Sequence, residues 1–165
     1  MSHRLFLCLL CFPGLLWACQ GYDFTVNDKV VYRAAPPFTA YTVPDAALAE
    51  CLKQAILDQA VTSVGQLATL NCSHAGIVEL DGLATFTGLL ALRLSSNSVR
   101  NLVELTQLVS LEELYLEDNQ VIDPIPLLQM STLRHLDLSG NSALQCPPKE
   151  SFKKLESLLL PKHCR

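Results

Sequence analysis

The feature that most constrains this chain is a leucine that recurs every 22 residues in its second half. Three of these leucines open the same phrase, Leu-x-x-Leu-x-Leu-x-x-Asn, and a small apolar residue follows two positions later. The recurring leucines are Leu67, Leu89, Leu111, Leu133 and Leu155. A fixed period of this length indicates stacked structural repeats, in which each unit buries its apolar side against its neighbours.

Within each phrase, leucines alternate with other residues, which predicts a short strand whose leucines point inward. The closing asparagine is expected to be structural, because its amide can bond backbone groups that the bend would otherwise leave buried and unpaired. These asparagines are Asn97, Asn119 and Asn141. The first and last repeats keep the leucine spacing but have Ala75 and His163 in place of the asparagine, as expected at the ends of a stack.

This phrase resembles the leucine-rich-repeat family over residues 62–164, and its 22-residue form is similar to the internalin-type repeats of bacterial surface proteins. The resemblance implies an α/β solenoid, a short curved stack with a parallel sheet on its concave face, that works as a binding module. On the convex side, Pro124 and Pro126 prevent a long helix, so we expect short turns or 3₁₀ pieces. The apolar positions of that side are Leu102, Leu105, Leu108, Leu127 and Met130.

An N-terminal capping helix is predicted over residues 44–61, just before the repeats. Its apolar residues fall on one helical stripe, which must lie against something apolar. The stripe comprises Leu48, Cys51, Leu52, Ala55 and Ile56. Asp45 stands at the start, where a carboxylate can accept the free backbone N–H groups and meet the positive end of the helix dipole.

Residues 1–18 have the layout of a signal peptide, with Arg4 before an apolar run and Ala18 at its end. The run covers residues 5–17, which is too short for a comfortable transmembrane helix of about 20 apolar residues. We therefore expect an exported protein, and a permanent membrane anchor helix is the less favoured alternative.

Residues 16–19 also resemble the lipobox of bacterial lipoproteins, although Trp17 stands where a small residue is usual. The resemblance implies lipidation of Cys19, and Gln20 resembles a residue that permits sorting to the outer membrane. The acyl chains would then anchor the protein to the cell envelope. The alternative is ordinary cleavage near Ala18, which would give a secreted or periplasmic protein.

Residues 19–43 show no sustained apolar period and no repeat. We expect a flexible tether, which as a coil would span about 25–30 Å between its ends. The alternative is a strand through residues 25–32 that pairs at the edge of the domain.

Four cysteines remain after removal of the signal peptide and lipidation, namely Cys51, Cys72, Cys146 and Cys164. An even number in an exported chain indicates disulfides, and three pairings are possible. One natural arrangement joins Cys51 to Cys72 and Cys146 to Cys164. Each bond would then close one end of the stack, where the coils would otherwise fray.

No metal, cofactor or catalytic activity is expected. The competing zinc site would use Cys72, His74, His163 and Cys164. Those residues belong to opposite ends of the stack. The chain has no Gly-x-Ser-x-Gly, His-Glu-x-x-His or glycine-rich phosphate loop. His135, Asp137 and Ser139 fit an ordinary strand of the repeat, which leaves a hydrolase as a remote alternative.

The residues between the strand leucines face outward, and in the central repeats they combine an aromatic ring with charges. They are Arg93, Glu113, Tyr115, Glu117, His135 and Asp137. Tyr and Arg are favoured anchors in protein interfaces, so we expect a docking patch for a protein or peptide, centred on Tyr115 and preferring a basic partner. The net charge of −4 lacks the basic excess of a nucleic-acid binder, so no nucleic-acid partner is expected.

Two other interpretations of this face stay open. The outward residues can be ordinary solvated positions, and the chain can be a structural envelope lipoprotein without a specific ligand. With about five coils, the face is small, which favours a weak or composite interface over a large wrapped ligand.

Overall fold

The computed structural model describes residues 23–27, 29–33, 35–148 and 150–164. The predicted signal peptide and Cys19 lie outside these residues. The chain divides into two compact units, residues 1–36 and residues 37–165. Among the described residues, no helix has the length and apolar character needed to cross a membrane.

The first unit contains a β-hairpin, in which β1 (Asp23–Val26) pairs antiparallel with β2 (Lys29–Arg33). The turn includes Asn27 at a φ of 49°, a left-handed conformation that asparagine tolerates well. Both strands are rich in β-branched residues, which favour extended backbone. The hairpin corrects the prediction of a flexible tether over residues 19–43, and it pairs within itself.

The second unit starts with residues 37–43, which also depart from the tether prediction. The Phe38 backbone N–H donates to the Val61 carbonyl oxygen at 2.8 Å. The rings of Phe38 and Tyr41 lie 6.1 Å and 5.3 Å from the fully buried ring of Phe86. Aromatic pairs at these separations stabilise beyond the burial of their area. This segment is therefore anchored to the repeat core.

The capping helix α1 spans Ala46–Asp58, within the predicted range. Asp45 is its N-cap residue, and its Oδ1 accepts the backbone N–H groups of Ala47 and Leu48, both at 2.9 Å. The face predicted from the sequence is the one that packs, because Leu48, Leu52 and Ile56 are buried. The helix thus covers the first repeat.

Five short strands form one parallel sheet in the order β3-β4-β5-β6-β7. They are β3 (Thr69–Asn71), β4 (Ala91–Arg93), β5 (Glu113–Tyr115), β6 (His135–Asp137) and β7 (Ser157–Leu159). Residues 22 positions apart are paired throughout, so the central leucines form one continuous row. The sheet and its register are as predicted from the repeat.

Across the coils from the strands, the chain forms 3₁₀ helices, as expected. Their bounds are Val64–Gln66, Leu83–Thr85, Val103–Gln107, Ile125–Gln129 and Lys162–Cys164. Between these helices and the sheet lies one apolar core, in which the recurring Leu89 and Leu111 are fully buried. Among the described residues, Asn119 and Asn141 are the buried polar side chains.

Each of the first four coils turns through a left-handed residue after its strand. These residues are His74, Ser96, Asp118 and Gly140, with φ between 51° and 76°. They are also 22 positions apart, and each immediately precedes the asparagine position of its repeat. Three of the four are not glycine, so the bend is imposed on residues that adopt this conformation at some cost.

Disulfides close both ends of the stack. Cys51 in α1 is bonded to Cys72, which follows β3, and Cys146 is bonded to Cys164. This is the arrangement expected from the sequence.

Candidate ligand-binding face

We use the name exposed sheet face for the surface formed by the first and last residues of β4, β5 and β6, which point outward. It also includes the residue two positions after the end of each of these strands. Strand register places them in straight rows across the sheet. One row contains Ala91, Glu113 and His135, and the next contains Arg93, Tyr115 and Asp137. Because the period of the sequence equals the offset between paired strands, residues far apart in the chain become lateral neighbours.

Tyr115 lies at the centre of this face and is held by two neighbours. The Arg93 guanidinium carbon is 4.3 Å from the centroid of the Tyr115 ring, a cation–π contact. The Tyr115 hydroxyl donates to Glu113 Oε2 at 3.1 Å. The Arg93 guanidinium is also 4.0 Å from that carboxylate oxygen. The three side chains form one cluster, so the aromatic ring is fixed in place before any ligand arrives.

Partial burial raises the pKa of Tyr115 above its ordinary value, and Glu113 raises it further through the hydrogen bond and its negative charge. Arg93 acts in the opposite direction but does not cancel these effects. The phenol therefore remains protonated at neutral pH and serves as a hydrogen-bond donor.

The other predicted residues of the face have separate partners. His135 Nε2 lies 3.8 Å from Glu156 Oε2, and the second oxygen of Glu156 accepts a hydrogen bond from Arg134 at 3.0 Å. Asp137 Oδ1 accepts the backbone N–H and the hydroxyl of Ser139. The carboxylate of Glu117 has no ion-pair or hydrogen-bond partner among the described residues. The structure thus joins Arg93, Glu113 and Tyr115 directly, whereas His135, Asp137 and Glu117 stand around them.

These contacts also bear on the remote hydrolase alternative. The Ser139 hydroxyl donates directly to Asp137 at 2.6 Å, while His135 faces Glu156. A serine nucleophile needs a base to take its proton, and in the usual arrangement histidine contacts both serine and aspartate. His135, Asp137 and Ser139 do not have that arrangement here.

The asparagines support the face from below by linking successive coils. Asn119 Nδ2 donates to the carbonyl of Leu94 in the preceding coil at 2.9 Å and to that of Leu116 in its own coil at 3.1 Å. Its Oδ1 accepts the Val99 N–H at 3.0 Å. Asn97 and Asn141 repeat the pattern one coil earlier and one coil later. The strands that carry the face are therefore fixed relative to one another.

Sequence reasoning missed an open groove of about 540 Å³ between α1 and β3. Glu50, Gln54 and Asp58 of the helix line it, together with Asn71 of the sheet. Asn71 is paired with Arg93 in the strand register, so the groove adjoins the exposed sheet face. The sequence feature that could have indicated this groove is the acidic side of the amphipathic helix, which contributes two carboxylates.

A cluster of potential metal ligands occurs at the other end of the stack. The donor atoms of Cys146, His163 and Cys164 lie within 4.8 Å of one another. The two cysteines are bonded to each other, so their sulfurs are not thiolates that could bind zinc. His163 Nε2 is 3.0 Å from the Leu144 carbonyl oxygen. This group is accounted for as part of the closing disulfide.

Comparison with known proteins identifies the fold. No protein-family model matches the chain, and no curated protein matches it. Among solved structures, an internalin (InlF) from Listeria monocytogenes is similar at a TM-score of 0.62 and 28% identity. The match covers 72% of this chain and 37% of that structure.

A second similar structure is internalin C2 from the same species, with a TM-score of 0.58 and 21% identity. It covers 75% of this chain and 70% of the other. This chain therefore spans well under half of the InlF structure and most of the internalin C2 structure. The second unit of the chain, with its parallel five-stranded sheet and its helix-capped first coil, has the leucine-rich-repeat fold of the internalins.

Proposed function

We propose that this chain is a non-enzymatic binding module, and that it holds a protein or peptide ligand on the exposed sheet face. The observation that carries the proposal is the Arg93–Tyr115–Glu113 cluster at the centre of that face. An aromatic anchor that is already held in one conformation loses little entropy when it binds. A rigid sheet behind it adds to this preorganisation.

The charge of the surroundings favours a basic ligand. Glu117 is exposed and lacks a partner among the described residues, and the adjoining groove contributes Asp58 together with Glu50, which lies 3.2 Å from Lys53 Nζ. The one arginine of the face is already engaged with Tyr115 and Glu113. Lysine or arginine side chains of a ligand would meet carboxylates on both sides of the aromatic ring, which aids both specificity and the rate of association.

We further propose that the protein works outside the cytoplasm, anchored to the outer membrane through lipidated Cys19. The sequence of residues 1–19 and the presence of two disulfides support this, because disulfides persist in oxidising compartments. Intact mass of the mature protein from membranes tests it. A diacyl or triacyl mass starting at Cys19 is expected, and an unmodified soluble product would instead indicate a secreted or periplasmic protein.

The binding proposal is tested by selecting ligands from a displayed peptide library on the mature wild-type chain. Selected peptides should be enriched in lysine and arginine. Tyr115→Ala should weaken their binding by about 30-fold, the effect of losing a hot-spot side chain worth about 2 kcal/mol. Tyr115→Phe keeps the ring and should weaken peptide binding much less.

A matched control is Val103→Ala, because Val103 is 60% exposed and lies on a 3₁₀ helix away from the sheet. This variant should bind the selected peptides as wild type does. If no peptide is enriched, or if Tyr115→Ala binds as well as wild type, the chain is better described as a structural envelope protein without a ligand on this face.

A further inference from the structure

The two edges of the sheet are treated differently. At the first edge, α1 packs over the opening coil, and the Gln59 side chain donates to the free Thr69 carbonyl of β3 at 3.0 Å. Leu70, the central residue of β3, is buried. Such covering is a common way to prevent an edge strand from pairing with another chain.

The last edge, at β7, is open. The Ser157 N–H donates to the Arg134 carbonyl, and the Leu159 carbonyl accepts the Leu138 N–H at 2.8 Å, so both residues direct their backbone groups towards β6. Successive residues of a strand direct their backbone N–H and C=O groups to opposite sides of the strand. The N–H and C=O of Leu158 therefore face away from the sheet, and they have no partner among the described residues.

The side chains at this edge are also incompletely covered. Leu158 is half-buried, whereas the equivalent Leu114 in the middle of the stack is fully buried. Leu159, on the other face, is 47% exposed. No α-helix covers β7 in the described part of the chain, as α1 covers β3. The edge thus offers unpaired backbone groups and apolar surface together.

We propose that β7 pairs with an extended acidic segment of another polypeptide, which adds a strand to the sheet at this edge. Lysines flank the strand on both sides: Lys154 precedes it by three residues and Lys162 follows it by three. Neither has an ion-pair partner among the described residues. Main-chain hydrogen bonds would supply the pairing, and the two lysines would select carboxylates at the ends of the segment.

A second copy of this chain is a poorer occupant of the edge. In an antiparallel pair related by a twofold axis, Leu158 would face Leu158 of the other copy. Lys154 of each copy would then approach the Lys162 end of the other, which sets like charges against each other. An acidic segment replaces both repulsions by attractions.

The probe is a short peptide with a central valine between threonines and with glutamates at both ends. The valine can cover Leu158 while the backbone pairs with it. Binding to the mature chain is measured by isothermal titration calorimetry at low salt, and the site by hydrogen exchange. We expect saturable binding that weakens as salt rises and that slows exchange of the Leu158 amide.

Two changes remove the strand pairing without touching the charges. Leu158→Pro deletes the outward N–H, which the β6–β7 ladder does not use, and a proline is tolerated at such an edge position. Leu158→Ala is its matched control, because it loses the side chain but keeps the N–H. N-methylation of the peptide valine deletes the corresponding donor on the ligand and tests the pairing even if Leu158→Pro does not fold. We expect each deletion to reduce the affinity for the peptide by about tenfold or more, and Leu158→Ala to reduce it less.

The double variant Lys154→Glu/Lys162→Glu should reduce affinity by about tenfold at low salt, since each exposed ion pair is worth a few-fold. Tyr115→Ala should leave binding of this peptide unchanged, which separates the edge from the exposed sheet face. The proposal is overturned if the N-methylated peptide binds like the parent. It is also overturned if sedimentation shows a stable dimer of the free protein that excludes the peptide.

Discussion

Asp45 Oδ2 accepts the backbone N–H of Val78 at 2.9 Å, while the other oxygen of the same carboxylate caps α1. Oδ2 also accepts the N–H of Glu79 at 3.1 Å. One side chain therefore satisfies donors of the capping helix and of the first repeat turn. This double role ties the helix to the stack at its N-terminal end.

We predict that Asp45→Asn destabilises the protein by about 1–2 kcal/mol at neutral pH, because an amide retains one acceptor oxygen but presents N–H groups to Val78 and Glu79. Burial acts to raise the pKa of Asp45, but the four backbone donors together outweigh it and lower the pKa below the ordinary value of 3.8. Because the pKa of Asp45 is lower in the folded protein than in the unfolded chain, the ionised carboxylate stabilises the fold at pH values above the pKa of the unfolded chain. This stabilisation is lost as the pH falls through the pKa of the folded protein.

The difference in the free energy of unfolding between wild type and Asp45→Asn should therefore be constant above about pH 5 and should shrink below pH 3.8. Urea unfolding at a series of pH values measures it. Glu50→Gln, on the exposed side of the same helix, is the control and should show little change. A difference that grows on acidification would contradict the assigned hydrogen bonds.

The asparagine ladder gives a second prediction. Asn141→Ala leaves the Val121 N–H and three carbonyl groups without this partner, and it should cost at least about 2 kcal/mol in the free energy of unfolding, which is the penalty of one buried unpaired group. Asn141 is fully buried, whereas Asn97 is partly exposed, so water can replace more of the lost bonds in Asn97→Ala. Thermal and urea unfolding should rank Asn141→Ala as the more damaging change.

Asn101→Ala is the matched control for the ladder. Asn101 is exposed, and within the described part of the chain its side chain bonds only the nearby Val103 N–H at 3.0 Å, so its loss should cost about 0.5–1 kcal/mol. Equal effects at Asn101 and Asn141 would mean that the links between coils contribute little.

The repeat explains why so much of the second unit could be predicted. Once Leu92, Leu114 and Leu136 occupy equivalent positions, the register of the sheet, the inward leucines and the bridging asparagines follow from a single period. Cys72 precedes the regular coils and Cys146 follows them. This placement favours a disulfide partner for each at its own end of the stack. The sequence period carries long-range information that an ordinary globular sequence does not.

What could not be predicted depends on contacts outside the period. Phe38 and Tyr41 find Phe86 through tertiary packing, and nothing in residues 37–43 repeats. The Glu104 carboxylate accepts the N–H groups of Gly82 and Ala84 in the preceding coil, a cap without a local signature. On the sheet face, the register placed Arg93 beside Tyr115, but only side-chain conformations show that the guanidinium covers the ring.

The disulfides should matter unequally for local stability. Replacing either pair with serines opens a loop of 21 or 18 residues, which costs about 3 kcal/mol in the chain-entropy model. At the first end, α1 still packs through Leu48 and Leu52 when its disulfide is lost. At the last end, β7 has no such support among the described residues.

Hydrogen exchange with mass spectrometry measures this difference. In Cys146→Ser/Cys164→Ser, peptides that contain β7 should exchange much faster than in wild type, while those of β4 and β5 stay protected. In Cys51→Ser/Cys72→Ser, the acceleration at β3 should be smaller. Equal fraying of the two ends would mean that the helix adds little to the disulfide.

The last prediction concerns the coupling of Arg93 to Tyr115. A double-mutant cycle of Arg93→Ala and Tyr115→Ala should give a coupling energy of about 0.5–1 kcal/mol, the value of a partly exposed cation–π contact. Repeating the cycle on the Tyr115→Phe background, where the ring at position 115 is then truncated to alanine with and without Arg93→Ala, tests the physical origin, because the ring is present at the start and only the hydrogen bond to Glu113 is lost. Most of the coupling to Arg93 should then persist in urea unfolding at low and at high salt, since a stacked guanidinium is screened less than an exposed ion pair. A coupling that vanishes with the hydroxyl or with salt would show that Glu113, and not the ring, holds Arg93 in place.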